Sequence, residues 1–226
     1  MEKFEVENKE IQIFENNVSK KSVPLIVLNT VMNEGGKVFN DCLKLGAENF
    51  TLCCIDKLNW DDDMSPWAIP AISANDTPCS GRADNYLKTL TEKIIPAVKN
   101  KLQYEPAYSA IAGYSLARLF AVYSLYKTDI FKSAASASGS FWYPDFFNFV
   151  KNNKTKIIPV CLYFSLGDTE KNSKIKILQS VQNNTEKIYE HFKQQNIKTV
   201  FELNKGNHFT QGTLRMAKGI TWLLKN

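Results

Sequence analysis

Ser115 stands in Ala112-Gly113-Tyr114-Ser115-Leu116-Ala117, between an apolar run at 109–112 that reads as a strand and a stretch from about 116 to 127 with helical spacing. That junction is the setting a nucleophilic serine needs. A sharp strand-to-helix turn holds the serine in a strained conformation, lifts its Oγ above the sheet and aims the next N–H at the reacting oxygen. The residues two before and two after must be small, or their side chains collide in the turn. Gly113 meets this in full, and Ala117 meets it with one extra methyl. As a bare pattern, G-x-S-x-[GA] also describes a tight turn opening a helix. The flanking strand and amphipathic helix are what favour a nucleophile elbow.

A serine hydroxyl is a weak nucleophile without an adjacent base. The chain has two histidines. His191 falls in a predicted helix at 175–194, beside Glu190 and Lys193, and reads as a solvated helix position. His208 lies in Lys205-Gly206-Asn207-His208-Phe209, after the last predicted strand and before the closing helix. A loop there can swing an imidazole over the sheet; the plainer reading is a helix-capping loop residue. A third member, the carboxylate that fixes the imidazole's tautomer, belongs on the loop after the preceding strand. Ser165-Leu166-Gly167-Asp168-Thr169-Glu170 offers two, Asp168 and Glu170.

An oxyanion hole needs two backbone N–H donors. Leu116 follows the nucleophile, and Thr30 or Val31 follows a predicted strand at 23–28. Trp60, Trp67, Tyr114 and Trp142 are candidate walls of a substrate pocket, although Trp60 and Trp67 read equally as anchors for their own loop. The aromatic segment at 141–147 suits either a pocket or the core. Asp61, Asp62 and Asp63 resemble a cation site, but without further ligands a solvated turn or helix cap is the better reading.

The elements that must position these residues alternate. Two short runs within 3–15 predict a β-hairpin. Strands follow at 23–28, 50–55, 109–112, 133–138, 157–164 and 199–203; helices at 37–45, 83–100, 116–127, 175–194 and 210–225. Pro96 should kink the second of these helices. Residues 56–82 form a long irregular stretch, and loops of that length are usually functional. Alternation of this kind implies a mostly parallel sheet with helices on both faces. One α/β domain spanning 1–226 is expected, with no room for a cap domain.

Composition narrows the function classes. The net charge of +5 comes from scattered lysines and not from a basic block, which argues against a nucleic-acid partner. Nowhere do 18 apolar residues run together, so no membrane span is expected. The N-terminus carries no export-signal pattern. Five cysteines without a CxxC pair or a Cys/His cluster read as small buried hydrophobes and not as zinc ligands. The expectation is a cytoplasmic protein with no metal and no cofactor. Oligomeric state is not legible.

Taken together, these motifs resemble the esterase-D and enterobactin-esterase group of α/β-hydrolases. The resemblance runs from the strand at 24–29 to the C-terminal helix. It is carried by Asn59-Trp60 through Ser65-Pro66-Trp67, Ala83-Asp84-Asn85-Tyr86-Leu87, Ile111 through Ala117, Ser165 through Glu170, and Gly206-Asn207-His208-Phe209. It implies a single-domain α/β-hydrolase fold and cleavage of a small-molecule carboxylic ester or thioester. The intermediate would be acyl-Ser115, with His208 as general base. It also implies Glu170 as the acid, because the group's acid stands three positions after the glycine. Asn207 stands where the group often has glycine. Ala117-Arg118 stands where the group commonly has Gly-Gly, and Arg118 is expected to crowd the elbow and to oppose the helix dipole by a few tenths of a kcal/mol. The alternative is a non-catalytic binding protein that keeps the fold, with Ser115 and His208 out of hydrogen-bond reach.

Overall fold

In the computed structural model, which describes residues 1–17, 21–74 and 76–226, the chain opens on a hairpin. Strands β1 (Glu2–Val6) and β2 (Lys9–Asn16) pair antiparallel. The turn residues Glu7 and Asn8 take φ of 50° and 61°, the left-handed pair that matches strand twist. Strand β3 (Leu25–Asn29), helix α1 (Gly35–Lys44) and strand β4 (Phe50–Asp56) follow. Every residue of β3 and β4 is buried, as expected of strands covered on both faces.

The stretch read as irregular at 56–82 has local order. It contains a one-turn helix, α2 (Trp60–Asp63), and a two-stranded ribbon of β5 (Ala68–Ile69) with β6 (Cys79–Ser80). The predicted helix at 83–100 is continuous but changes its winding. Helix α3 (Ala83–Thr89) passes through a π-helical turn (Leu90–Ile94) into α4 (Ile95–Lys101), where Pro96 sits at the start. Proline has no N–H to donate back along the helix, and the change of winding coincides with that loss.

The rest of the sheet is β7 (Ser109–Tyr114), β8 (Phe131–Ala137), β9 (Cys161–Gly167) and β10 (Lys198–Asn204). Between them lie α5 (Leu116–Ser124), α6 (Phe146–Asn152) and α7 (Val181–Gln194), and α8 (Gly212–Leu224) closes the chain. The predicted strand at 157–164 starts late because Pro159 precedes it; Ile158 and Val160 stay exposed. Residues 176–180 are 3-10 turns leading into α7, not its first turns.

Strand order is β1-β2-β4-β3-β7-β8-β9-β10, parallel throughout except where β2 meets β1 and β4. Side-chain alternation along the strands splits the core between the two faces. Ile111, Leu162 and Phe164 pack with residues of α3–α5 and α7, while Ala110, Ala112 and Tyr163 pack with α1 and α8. All five cysteines are buried and free. Among the described residues, no helix is long and apolar enough to cross a membrane. The strand ends that matter, those of β7, β8, β9 and β10, open on one edge of the sheet, where doubly wound folds place their sites.

Candidate active site

Ser115 joins β7 to α5 with φ 57° and ψ −124°, a backbone region that residues with a Cβ rarely occupy. The turn is tight enough that a Cβ at position 113 would lie 2.5 Å from the backbone carbon and oxygen of Ala117. Glycine is therefore required at 113. Ala117 turns its methyl into the core, so its departure from glycine is absorbed. Arg118 does not crowd the elbow or line the space before Ser115. Its fully buried side chain passes beneath Gly139 and its Nη1 donates to the Ser165 carbonyl at 2.6 Å. Its Nε and Nη2 have no partner among the described residues. Burial holds the guanidinium well below its ordinary pKa.

His208, on the loop after β10, turns Nε2 to Ser115 Oγ at 3.2 Å and Nδ1 to Glu170 Oε2 at 2.8 Å. The other Glu170 oxygen accepts the Gly167 N–H at 2.7 Å. Burial pushes the Glu170 carboxyl up, but the hydrogen bond and charge of His208, with the Gly167 N–H, outweigh it and hold the group below its ordinary value. Asp168 points elsewhere. Its Oδ1 accepts the Gly206 N–H at 2.9 Å and its own N–H donates to Asn204 at 2.8 Å, tying the β9 loop to the histidine loop. His191 lies on α7, bonded to Gln195.

Two residues that sequence reasoning did not single out hold this arrangement. Arg215 of α8 is 1% exposed. Its guanidinium donates to the carbonyls of Lys205 and Asn207 at 3.0 and 3.1 Å, to Ser138 Oγ at 3.0 Å, and stands 3.4 Å from Glu170 Oε1. The signal available was an arginine beside Met216 and Ala217, four residues before Gly219, on the apolar stripe of the closing helix. Ser140, on the loop after β8, brings a second hydroxyl to within 3.4 Å of Ser115 Oγ. Nothing in its sequence position marks it.

Several expected roles change. Thr30 is buried and its N–H donates to the Ile55 carbonyl at 2.9 Å, extending the β3–β4 ladder. It has no amide left for an oxyanion. Val31 beyond it is exposed and does not line the cavity. Leu116, by contrast, lines the cavity and opens α5, where the first amides have no partner within the helix. Trp67 does not line the cavity in front of Ser115. Its indole N–H donates to the Pro144 carbonyl at 3.1 Å and its ring packs among Tyr143, Phe146 and Phe149. Tyr114 is not a wall either. Its hydroxyl donates to the His208 carbonyl and its ring lies 5.3 Å from the imidazole, behind the histidine loop.

Trp60 and Trp142 do line the cavity in front of Ser115, which encloses about 610 Å³. Ile69, Ile72 and Leu178 add apolar surface, and Asp61 and Asp76 are its carboxylates besides Glu170. Phe141, Tyr143 and Phe146 are core. The aspartates of α2 bond their own surroundings: Asp61 accepts from Thr77, Asp62 from the Ser80 N–H, and Asp63 from the Asn59 N–H and Lys9. Among the described residues, no group of three or more His, Cys, Asp or Glu is placed to hold a metal ion.

Residues 41–211 match the family described as Esterase. An uncharacterized protein of Bacillus subtilis (strain 168), YbbA, is 23% identical over 174 residues, covering 72% of this chain and 70% of its own. An IroE-like serine hydrolase from Shewanella oneidensis superposes with a TM-score of 0.73 at 15% identity, over 96% of this chain and 75% of that one. The siderophore hydrolase EstB from Aspergillus nidulans superposes at 0.69 and 18% identity, over 98% and 94%. These structural likenesses identify the fold as α/β-hydrolase-like.

Proposed function

The chain belongs to the Esterase family, and from that premise we propose that it cleaves carboxylic esters, thioesters among them, through an acyl-Ser115 intermediate with His208 as general base. The observation that carries this reading is the unbroken line of contacts facing the cavity: Ser115 Oγ to His208 Nε2 at 3.2 Å, and His208 Nδ1 to Glu170 at 2.8 Å. A non-catalytic fold relic would have no need to keep the hydroxyl and imidazole in reach.

Glu170 is an acceptor only, so Nδ1 carries the proton and Nε2 presents its lone pair to the serine. Oγ attacks the ester carbonyl as its proton passes to Nε2. The imidazolium then returns that proton to the departing alcohol, leaving the acyl-enzyme. Water repeats the sequence and releases the acid. The N–H of Leu116, at the positive end of α5, faces the charge that develops on the carbonyl oxygen.

A cavity of about 610 Å³ suits an ester of drug-like size. Trp60 and Trp142 offer flat apolar walls, and neither Lys nor Arg is among the described residues lining it. An uncharged aryl or acyl ester fits this lining better than an anionic one. The test is pre-steady-state hydrolysis of p-nitrophenyl acetate, butyrate and octanoate, with a p-nitrophenyl hemisuccinate and a siderophore lactone alongside. Expected are a burst of one p-nitrophenolate per chain, lower kcat/KM for the hemisuccinate, and no burst from Ser115→Ala. Turnover by Ser115→Ala at the native rate overturns the reading.

A further inference from the structure

Ser115 Oγ has a second neighbour besides His208, the hydroxyl of Ser140. Ser140 is 2% exposed and lines the cavity, with its Oγ 3.4 Å from that of Ser115. Its backbone is fastened on both sides. The N–H donates to the Ser115 carbonyl at 3.2 Å, and the Ser140 carbonyl accepts the Tyr143 N–H at 2.9 Å. The approach from β8 is equally constrained. Ser138 takes φ 57° and donates its N–H to Ser165 at 3.0 Å, the same carbonyl that receives Arg118. At Gly139 a Cβ would meet Arg118 Cδ at 2.9 Å. Arg118 thus fills the space under the loop that carries Ser140.

Proton accounting sets the direction of this contact. Glu170 accepts from Nδ1, so Nε2 accepts from Ser115, and the single Ser115 proton is committed to His208. If the two serine hydroxyls interact, Ser140 must donate and Ser115 Oγ accept. We propose that Ser140 is a second catalytic hydroxyl, donating to Ser115 Oγ and stabilising the negative charge that gathers there. The inference rests on Ser115 being the nucleophile. Charge builds on Oγ twice: when its proton leaves for His208 during attack, and when Oγ is expelled from the second tetrahedral intermediate. At 3.4 Å the resting contact is longer than a full hydroxyl–hydroxyl bond. Bonds to an anionic oxygen are shorter and stronger, so the contribution grows where the barrier lies.

The test compares native protein, Ser140→Ala and Ser140→Cys by the rate of inactivation with a fluorophosphonate and by the acylation burst with p-nitrophenyl butyrate. Loss of one donor to a charged oxygen should slow both about 10- to 100-fold in Ser140→Ala, with KM and thermal midpoint little changed. The thiol of Ser140→Cys, a weaker donor of similar shape, should give intermediate rates. It carries the comparison if the alanine variant folds poorly. Native rates in either variant, with Ser115 still labelled, would overturn the role of Ser140 and leave that of Ser115 standing. Native protein unlabelled at Ser115 would overturn both.

Discussion

Two carboxylates follow β9, and their partners separate them. Glu170 faces the imidazole, whereas Asp168 fastens the histidine loop through the Gly206 N–H. Glu170→Gln should lower kcat by up to about 10⁴-fold through loss of tautomer control. Asp168→Asn keeps an oxygen for that N–H and should retain most activity. Steady-state kinetics on one p-nitrophenyl ester decide it, and a reversed pair would make Asp168 the acid. Arg118 poses a different question, since two of its nitrogens are buried without partners. Burying a charge costs several kcal/mol of desolvation, a penalty that an apolar side chain of similar length removes. Arg118→Met should therefore hold or raise the unfolding midpoint, even though the bond to Ser165 is lost. A clear drop in denaturant unfolding would show that this bond outweighs the desolvation.

At the scale of elements, the site is where four strand ends meet one helix. Arg215 makes α8 part of it by bonding the histidine loop at Lys205 and Asn207. Arg215→Met takes the guanidinium donor from the Lys205 carbonyl and leaves the Asn207 carbonyl and Glu170 Oε1 with only the Thr210 and Gly167 N–H groups, which should cost about 3 kcal/mol and lower kcat about 10-fold or more. Hydrogen exchange should quicken across residues 205–209. Unchanged exchange there would mean the loop is held without α8. The sequence made Ser115, His208 and the two carboxylates legible because each sits where a strand pattern stops. It could not show which way an irregular loop turns its side chains, so Trp60 and Trp67 looked alike although only Trp60 reaches the cavity. Thr30 stands on the last rung of the β3–β4 ladder, where its N–H is taken by Ile55, and a local apolar pattern does not show at which residue such a ladder ends. Arg215 and Ser140 act on partners 45 and 25 residues away, contacts that no local pattern encodes.

For the molecule as a whole, the mostly parallel sheet and the two-faced core followed from alternation of strands and helices, whereas the strand order, with β4 between β2 and β3, is not encoded in that alternation. Nor are the winding change before Pro96 and the 3-10 entry to α7, because each depends on local backbone geometry within a continuous apolar pattern. Acid stability links the site to the fold. Glu170 is held below its ordinary pKa in the folded chain, so its contribution is complete above about pH 4.3, the value for an unperturbed glutamate. It is lost as pH falls through the folded value. Glu34 acts in the opposite sense, raised by burial and by the neighbouring charge of Asp56. The thermal midpoint should fall as pH drops from 5 toward 3, and less steeply in Glu170→Gln; identical profiles would show that the carboxylate's environment adds no net stability. The central claim, that Ser115 is the nucleophile, is tested most directly by fluorophosphonate labelling of folded protein with the modified residue mapped by mass spectrometry. The account predicts a single adduct on Ser115, slowed severely in His208→Ala. Folded native protein that takes no label, or takes it on another residue, would contradict it.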